Sequence, residues 1–171
     1  MTDKIFNVLF LCTGNSARSI MAEALLNHLG RGRFKAFSAG SHPAGEVNPF
    51  ALECLQRHEI PVGEPRSKSW QEFARPNAPL FDFVITVCDN AAGEVCPTWA
   101  GQPITAHWGV FDPSAYVGVD DQKRMAFRMA FAILEHRISL FASLNPASLE
   151  RPALQQQVRE IGNVDADGKP Q

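Results

Sequence analysis

A cysteine and an arginine separated by five residues, Cys12-Thr13-Gly14-Asn15-Ser16-Ala17-Arg18, carry the most chemically pointed pattern in this 171-residue chain. A loop of that length can wrap backbone N–H groups around a tetrahedral anion, and the arginine that closes it can grip two of the anion's oxygens in fork geometry. The apolar run Val8-Leu9-Phe10-Leu11 enters the loop and a helical pattern leaves it, so the positive end of a helix dipole falls on the same point. Thr13, Gly14, Asn15, Ser16, Ala17, Arg18 and Ser19 are therefore the expected oxyanion-binding set. Gly14 and Asn15 are expected to supply positive φ, and Ser19 a hydrogen bond to the sulfur. These surroundings favour a thiolate and are expected to bring Cys12 from about 8.5 into the roughly 3.5–7.5 range of activated thiols. Without its flanks, Cys-x5-Arg reads only as a buried strand-end cysteine near an arginine; the strand before it and the helix after it make it an oxyanion loop.

Other residues fall where they can serve such a loop. Asp112-Pro113 is a common turn pair, yet it follows the last predicted strand, at the sheet edge that holds Cys12, where a carboxylic acid can protonate a leaving oxygen. Cys88 ends another strand. It reads either as a buried strand terminus or as a second thiol placed for exchange with Cys12. Cys96 lies beyond it in a loop of small and polar residues able to bring one thiol to the other. Cys54, between Leu52 and Leu55, reads as a small buried hydrophobe. A zinc site would need tight Cys-x2-4-Cys spacing and a second pair, which the chain lacks, so no metal is expected. The histidines are scattered, and His107 is expected to pack the Asp112 loop.

The elements that must position these groups follow from periodicity. Strands are predicted at 5–11, 34–39, 83–87 and 104–108, and helices from Ile20 to Leu29 and from Asn48-Pro49 to about His58. A short turn is predicted at Trp70 to Phe73. A long helix capped by Asp120 or Asp121 runs to about Ser143, with Met125, Met129, Phe131, Leu134, Ile138 and Phe141 on its buried side, and a further helix lies between Ala147 and Ile161. Strands alternating with helices give an α/β fold: a doubly wound, four-stranded parallel sheet of order 2-1-3-4 with helices on both faces. In that order strands 1 and 3 are neighbours at the switch point, so Cys12 and Cys88 meet there.

Length and 45% hydrophobic content fit one domain over residues 1–161, followed by a polar tail at 162–171. A formal net charge of −2 offers no field for nucleic acid or an anionic membrane. The amino terminus lacks a signal-peptide pattern and no stretch is long enough to span a bilayer, so a cytoplasmic protein with unpaired or redox-active cysteines is expected.

The loop 12–19, Ser38-Ala39-Gly40, Asn48-Pro49, the Cys88 to Cys96 segment, and His107-Trp108-Gly109 leading into Asp112-Pro113 together resemble the low-molecular-weight protein tyrosine phosphatase superfamily and, within it, the arsenate reductases. The resemblance runs from about Ile5 to Leu144. It implies Cys12 as nucleophile, Arg18 as oxyanion clamp and Asp112 as general acid. In the phosphatase branch a phosphocysteine is hydrolysed by water. In the reductase branch Cys12 attacks arsenate, Cys88 attacks the adduct and releases arsenite, and Cys96 then takes Cys88 into a disulfide. That disulfide is presented to an external thiol reductant, with thioredoxin placed ahead of glutathione and glutaredoxin, and no tightly bound cofactor is implied. The Cys88 to Cys96 interval is one residue longer than in the best-known thioredoxin-coupled members, which keeps the donor open. Ser114-Ala115-Tyr116 after the acid lacks the adjacent aromatics that stack a phosphotyrosine ring. Arsenate reduction is the leading expectation, a phosphotyrosine phosphatase the alternative, and a silent oxyanion-binding or redox-sensing module the third.

Overall fold

The computed structural model describes residues 4–88, 97 and 99–165, so Cys96 and the tail from 166 onward lie outside the described residues. Four strands, β1 (Phe6–Cys12), β2 (Phe34–Gly40), β3 (Phe83–Thr86) and β4 (Ile104–His107), form one parallel sheet in the order β2-β1-β3-β4. The two-residue period of a strand sends Val8, Phe10 and Cys12 to one face and Leu9 and Leu11 to the other. Both faces are apolar because both are covered, as an all-parallel sheet requires.

Among the described residues the α-helices are α1 (Arg18–Leu29), α2 (Pro49–Arg57), α3 (Asp120–Ala142) and α4 (Arg151–Ile161). Their buried side chains join Val8, Phe10, Phe83, Ile85 and Ile104 in one large core. The opposite face carries a smaller cluster in which Trp70 and Phe73, from a single 3-10 turn at Trp70–Phe73, cover Leu9, Leu11 and Val84 together with Phe81. The Asn48 side chain accepts from the Phe50 N–H at 2.8 Å with Pro49 next in line, the pairing that opens α2.

Three local expectations are corrected. Val119, not Asp120 or Asp121, is the residue before α3; its N–H donates to Gln122 Oε1, and both aspartates lie inside the first turn, at the positive end of the dipole. Met125 and Met129 are 54% and 57% exposed, because Phe127, Ala130, Phe131, Leu134, Ile138 and Phe141 already complete the buried stripe. The two methionines instead line, with Phe111 and Tyr116, a surface groove of about 670 Å³. Residues 162–165, read as the start of a solvated tail, are pinned: the fully buried Arg137 donates from Nε to the Val164 carbonyl at 2.8 Å and from Nη1 to the Gly109 carbonyl at 3.1 Å. No helix among the described residues is long and apolar enough to cross a membrane.

Cys54 sits in the core against α3, and burial pushes its thiol up to about 11. An unfolded chain ionises a thiol near 8.5, so the folded state keeps a proton that the unfolded state has lost. Stability should therefore fall as pH rises from about 9 to about 11, and the Cys54→Ala variant should show a flatter decline when urea midpoints are measured across that range.

Candidate active site

The loop between β1 and α1 turns its peptide groups inside out. The carbonyls of Cys12, Thr13, Gly14 and Ser16 accept hydrogen bonds from the N–H groups of Ser41, His42, Ala44 and Asn48, and Ser67 Oγ adds a second bond to the Gly14 carbonyl. With the oxygens anchored outward to residues 41–48, the amide N–H groups face inward. The Asn15 N–H donates to Cys12 Sγ at 3.2 Å. Asn15 takes the left-handed turn, with φ of 45°, and Gly14, expected to share it, does not. Asparagine tolerates that conformation because its short polar side chain finds local partners; here Asn15 Oδ1 accepts from the Lys68 N–H at 2.9 Å and Nδ2 donates to Ser19 Oγ at 2.8 Å.

Ser19 bridges this side chain to the sulfur: its oxygen accepts from Asn15 and lies 2.8 Å from Cys12 Sγ, and because an ionised sulfur has no proton to give, the hydroxyl donates to the thiolate. The sulfur thus receives one backbone and one hydroxyl donor at the opening of α1. Even so, the expected drop in pKa is not met in this conformation. Cys12 is 3% exposed, and burial pushes its thiol above the ordinary range; Ser19 and Asn15 pull it down, and nearby Cys88 pushes it up further. Desolvation of a charge outweighs a pair of hydrogen bonds when no cation touches the sulfur.

The cation that would do so is turned aside. Arg18 Nη1 donates to the Val110 carbonyl at 2.9 Å, and Nη2 lies 3.5 Å from Asp112 Oδ2. Asp112 also does what its turn pair predicts: Oδ1 accepts from the Ser114 N–H at 3.0 Å and the Ser114 hydroxyl at 2.6 Å, capping the 3-10 turn Pro113–Ala115. The arginine at the loop's end and the carboxylate beyond β4 are therefore in contact across 94 residues of sequence (112 minus 18).

Cys88 follows β3 and is 2% exposed. Its sulfur accepts from the Thr13 N–H at 3.2 Å and lies 3.5 Å from Thr13 Oγ1, beside the residue that follows Cys12. The 2-1-3-4 order brings the two thiols to one edge because β1 and β3 pair directly, Leu11 against Thr86. Cys96 lies outside the described residues. Among the described residues no group of three or more His, Cys, Asp or Glu side chains is arranged to hold a metal ion.

Sequence reasoning passed over Ser67 and Lys68, which sit in a stretch rich in proline and charge read only as a connection. Both reach the underside of the loop, through the Gly14 carbonyl and the Asn15 side chain. No spacing or composition marks a Ser-Lys-Ser tripeptide for that task; only the bridge between Gly40 and Ser69 brings it there.

Comparison with known proteins places this geometry in company. The family model for low molecular weight phosphotyrosine protein phosphatase matches residues 7–156. An arsenate reductase of Halalkalibacterium halodurans is 35% identical over 135 residues, covering 79% of this chain and 94% of the relative. The crystal structure of the arsenate reductase from Archaeoglobus fulgidus superposes with a TM-score of 0.65 at 28% identity, covering 80% of this chain and 99% of that one. A thioredoxin-dependent arsenate reductase of Corynebacterium glutamicum gives a TM-score of 0.54 at 25% identity, covering 82% of this chain and 65% of the other.

Two substitutions probe the loop. A Cβ on Gly40 would fall 2.5 Å from the Thr13 carbonyl oxygen and 3.0 Å from the Asn15 nitrogen, so Gly40→Ala must displace backbone. It should cost about 1–3 kcal/mol in urea unfolding and weaken phosphate binding at the same time. Ser19→Ala removes a hydrogen bond to a charged acceptor and should raise the pH midpoint of Cys12 alkylation by about one unit, followed by mass spectrometry of the Cys12 peptide.

Proposed function

Because the chain belongs to the low molecular weight phosphotyrosine protein phosphatase family, we propose that its oxyanion loop serves arsenate reduction through a relay of Cys12, Cys88 and Cys96. The single observation that carries this reading is the Cys88 sulfur, 3.2 Å from the Thr13 N–H at the mouth of the loop. A phosphatase has no use for a second buried thiol there. The relatives named as arsenate reductases support it, and the thioredoxin-dependent one supports thioredoxin as the reductant ahead of glutathione and glutaredoxin.

Arsenate enters as a tetrahedral dianion and offers Arg18 a bidentate partner better than the Val110 carbonyl. As the guanidinium moves onto the anion, the Cys12 sulfur gains a cation and Arg18 leaves its contact with Asp112. Cys12 attacks arsenic(V), and the departing hydroxide takes a proton from Asp112 and leaves as water. Cys88 then attacks the Cys12 sulfur; the sulfur–arsenic electron pair stays on arsenic, which leaves as arsenite, arsenic(III), and a Cys12–Cys88 disulfide forms. Cys96 attacks Cys88, Cys12 departs as thiolate, and the Cys88–Cys96 disulfide is reduced by the external dithiol, which supplies the two electrons.

The test follows NADPH oxidation with arsenate, thioredoxin and thioredoxin reductase. Wild type should turn over, Cys88→Ser should not, and Asp112→Asn should be slower by about 10²–10⁴-fold, the usual worth of a positioned acid. Cys88→Ser should still hydrolyse an aryl phosphate at the wild-type rate. Arsenate turnover that survives loss of Cys88 would sink the relay, and hydrolysis without reduction by any thiol donor would assign the loop to a phosphatase.

A further inference from the structure

Beneath the oxyanion loop lies a charged pair that the chemistry above does not use. Lys68 is 8% exposed, and three acceptors surround its Nζ: Ser38 Oγ at 3.2 Å, the Arg66 carbonyl at 2.9 Å and Glu23 Oε2 at 4.0 Å. Two of the ammonium's donors are thus taken up by hydrogen bonds, and the Glu23 carboxylate stands beside them as the ion-pair partner. Ser38 is fully buried and Glu23 is largely so, on the face of α1 turned toward β2. The backbone of Lys68 is equally engaged: its N–H holds Asn15 Oδ1 at 2.9 Å, and its carbonyl accepts from the Gly40 N–H at 2.9 Å.

Burying an ammonium is costly unless it is paired and hydrogen-bonded, and a fold that needed only an Asn15 anchor could take that hydrogen bond from the backbone of any residue but proline at position 68. The side chain therefore calls for its own explanation, and its surroundings supply one. The ammonium is carried by the residue whose backbone N–H opens the chain of contacts from Asn15 to Ser19 to the Cys12 sulfur, which keeps the charge on the segment that anchors the loop. We propose that Lys68 is a positioning residue that acts as the built-in counter-charge of the loop, its buried ammonium favouring both the Cys12 thiolate and the oxyanion that Cys12 attacks. This rests on the reading of Cys12 as the attacking thiolate and names a group that acts on it from behind.

The charged groups around the pair agree with that role. Burial drives Lys68 down and Glu23 up, each toward neutrality, and each holds the other charged. Arg66 opposes the Lys68 ammonium, whereas Glu72 and an ionised Cys12 favour it. Arg66 itself is engaged by Glu72 in a fork at 2.8 and 2.7 Å, which turns its charge away from the pocket.

The experiment measures the pH dependence of iodoacetamide alkylation at Cys12, read on its own peptide by mass spectrometry, and the affinity for inorganic phosphate by calorimetry. Lys68→Met should raise the alkylation midpoint by about one pH unit, a tenfold loss of thiolate below it, and weaken phosphate about tenfold. Lys68→Arg, which keeps the charge, should stay within about 0.3 unit of wild type. Because Lys68→Met strands the Glu23 carboxylate and is at risk of not folding, Lys68→Met/Glu23→Gln provides a neutral pocket, and its midpoint should also shift upward, by less than that of Lys68→Met because no carboxylate is left to oppose the thiolate. A folded double variant that titrates and binds phosphate as wild type does would overturn the proposal. So would a Lys68→Arg midpoint displaced as far as that of Lys68→Met, since shape rather than charge would then be responsible. Neither readout requires arsenate turnover, so the result stands apart from whether the chain reduces arsenate.

Discussion

The orientation of a few peptide planes governs everything else at this site. A peptide unit has one donor end and one acceptor end, and a loop can present donors inward only if something outside takes its acceptors. Here residues 41–48 do so, supplying N–H groups to the carbonyls of Cys12, Thr13, Gly14 and Ser16. The segment that follows β2 is in effect the outer wall of the cradle. It lies where it does because Gly40 pairs with Cys12 at the end of the sheet, in a gap too narrow for a side chain.

Within that cradle the balance is close. Burial of Cys12 opposes ionisation, and the donors from Ser19 and Asn15 offset only part of it. The guanidinium of Arg18, held at the Val110 carbonyl and near Asp112, is the mobile part of the balance, since a long side chain can change partners without any backbone shift. A site poised this way spends its positive charge on whichever acceptor is strongest, and a tetrahedral dianion outranks a peptide carbonyl.

The strand order was legible because it follows from few rules: four apolar runs, helical segments between them, and right-handed crossovers. The same logic brought Cys88 to the loop, since β1 and β3 had to be neighbours. What the sequence concealed was contingent on tertiary packing. Met125 and Met129 fit a helical apolar period, but the stripe built from Phe127 to Phe141 already satisfied the core and left them outside. Lys68 looked like any lysine in a polar connection, and its burial depends on Glu23, 45 residues earlier (68 minus 23), being turned to meet it. The acidity of Cys12 was misjudged because a motif records the donors around a sulfur and not how much water has been removed from it.

Arg137 ties the Gly109 carbonyl, just upstream of Asp112, to the Val164 carbonyl near the far end of the chain. The approach to the carboxylate is therefore braced from beyond the last helix, whereas the outer wall of the thiol loop is complete with residues 41–48, 67 and 68. Trimming the chain before Val164 would loosen the acid's side of the cleft and leave the cradle's own hydrogen bonds in place.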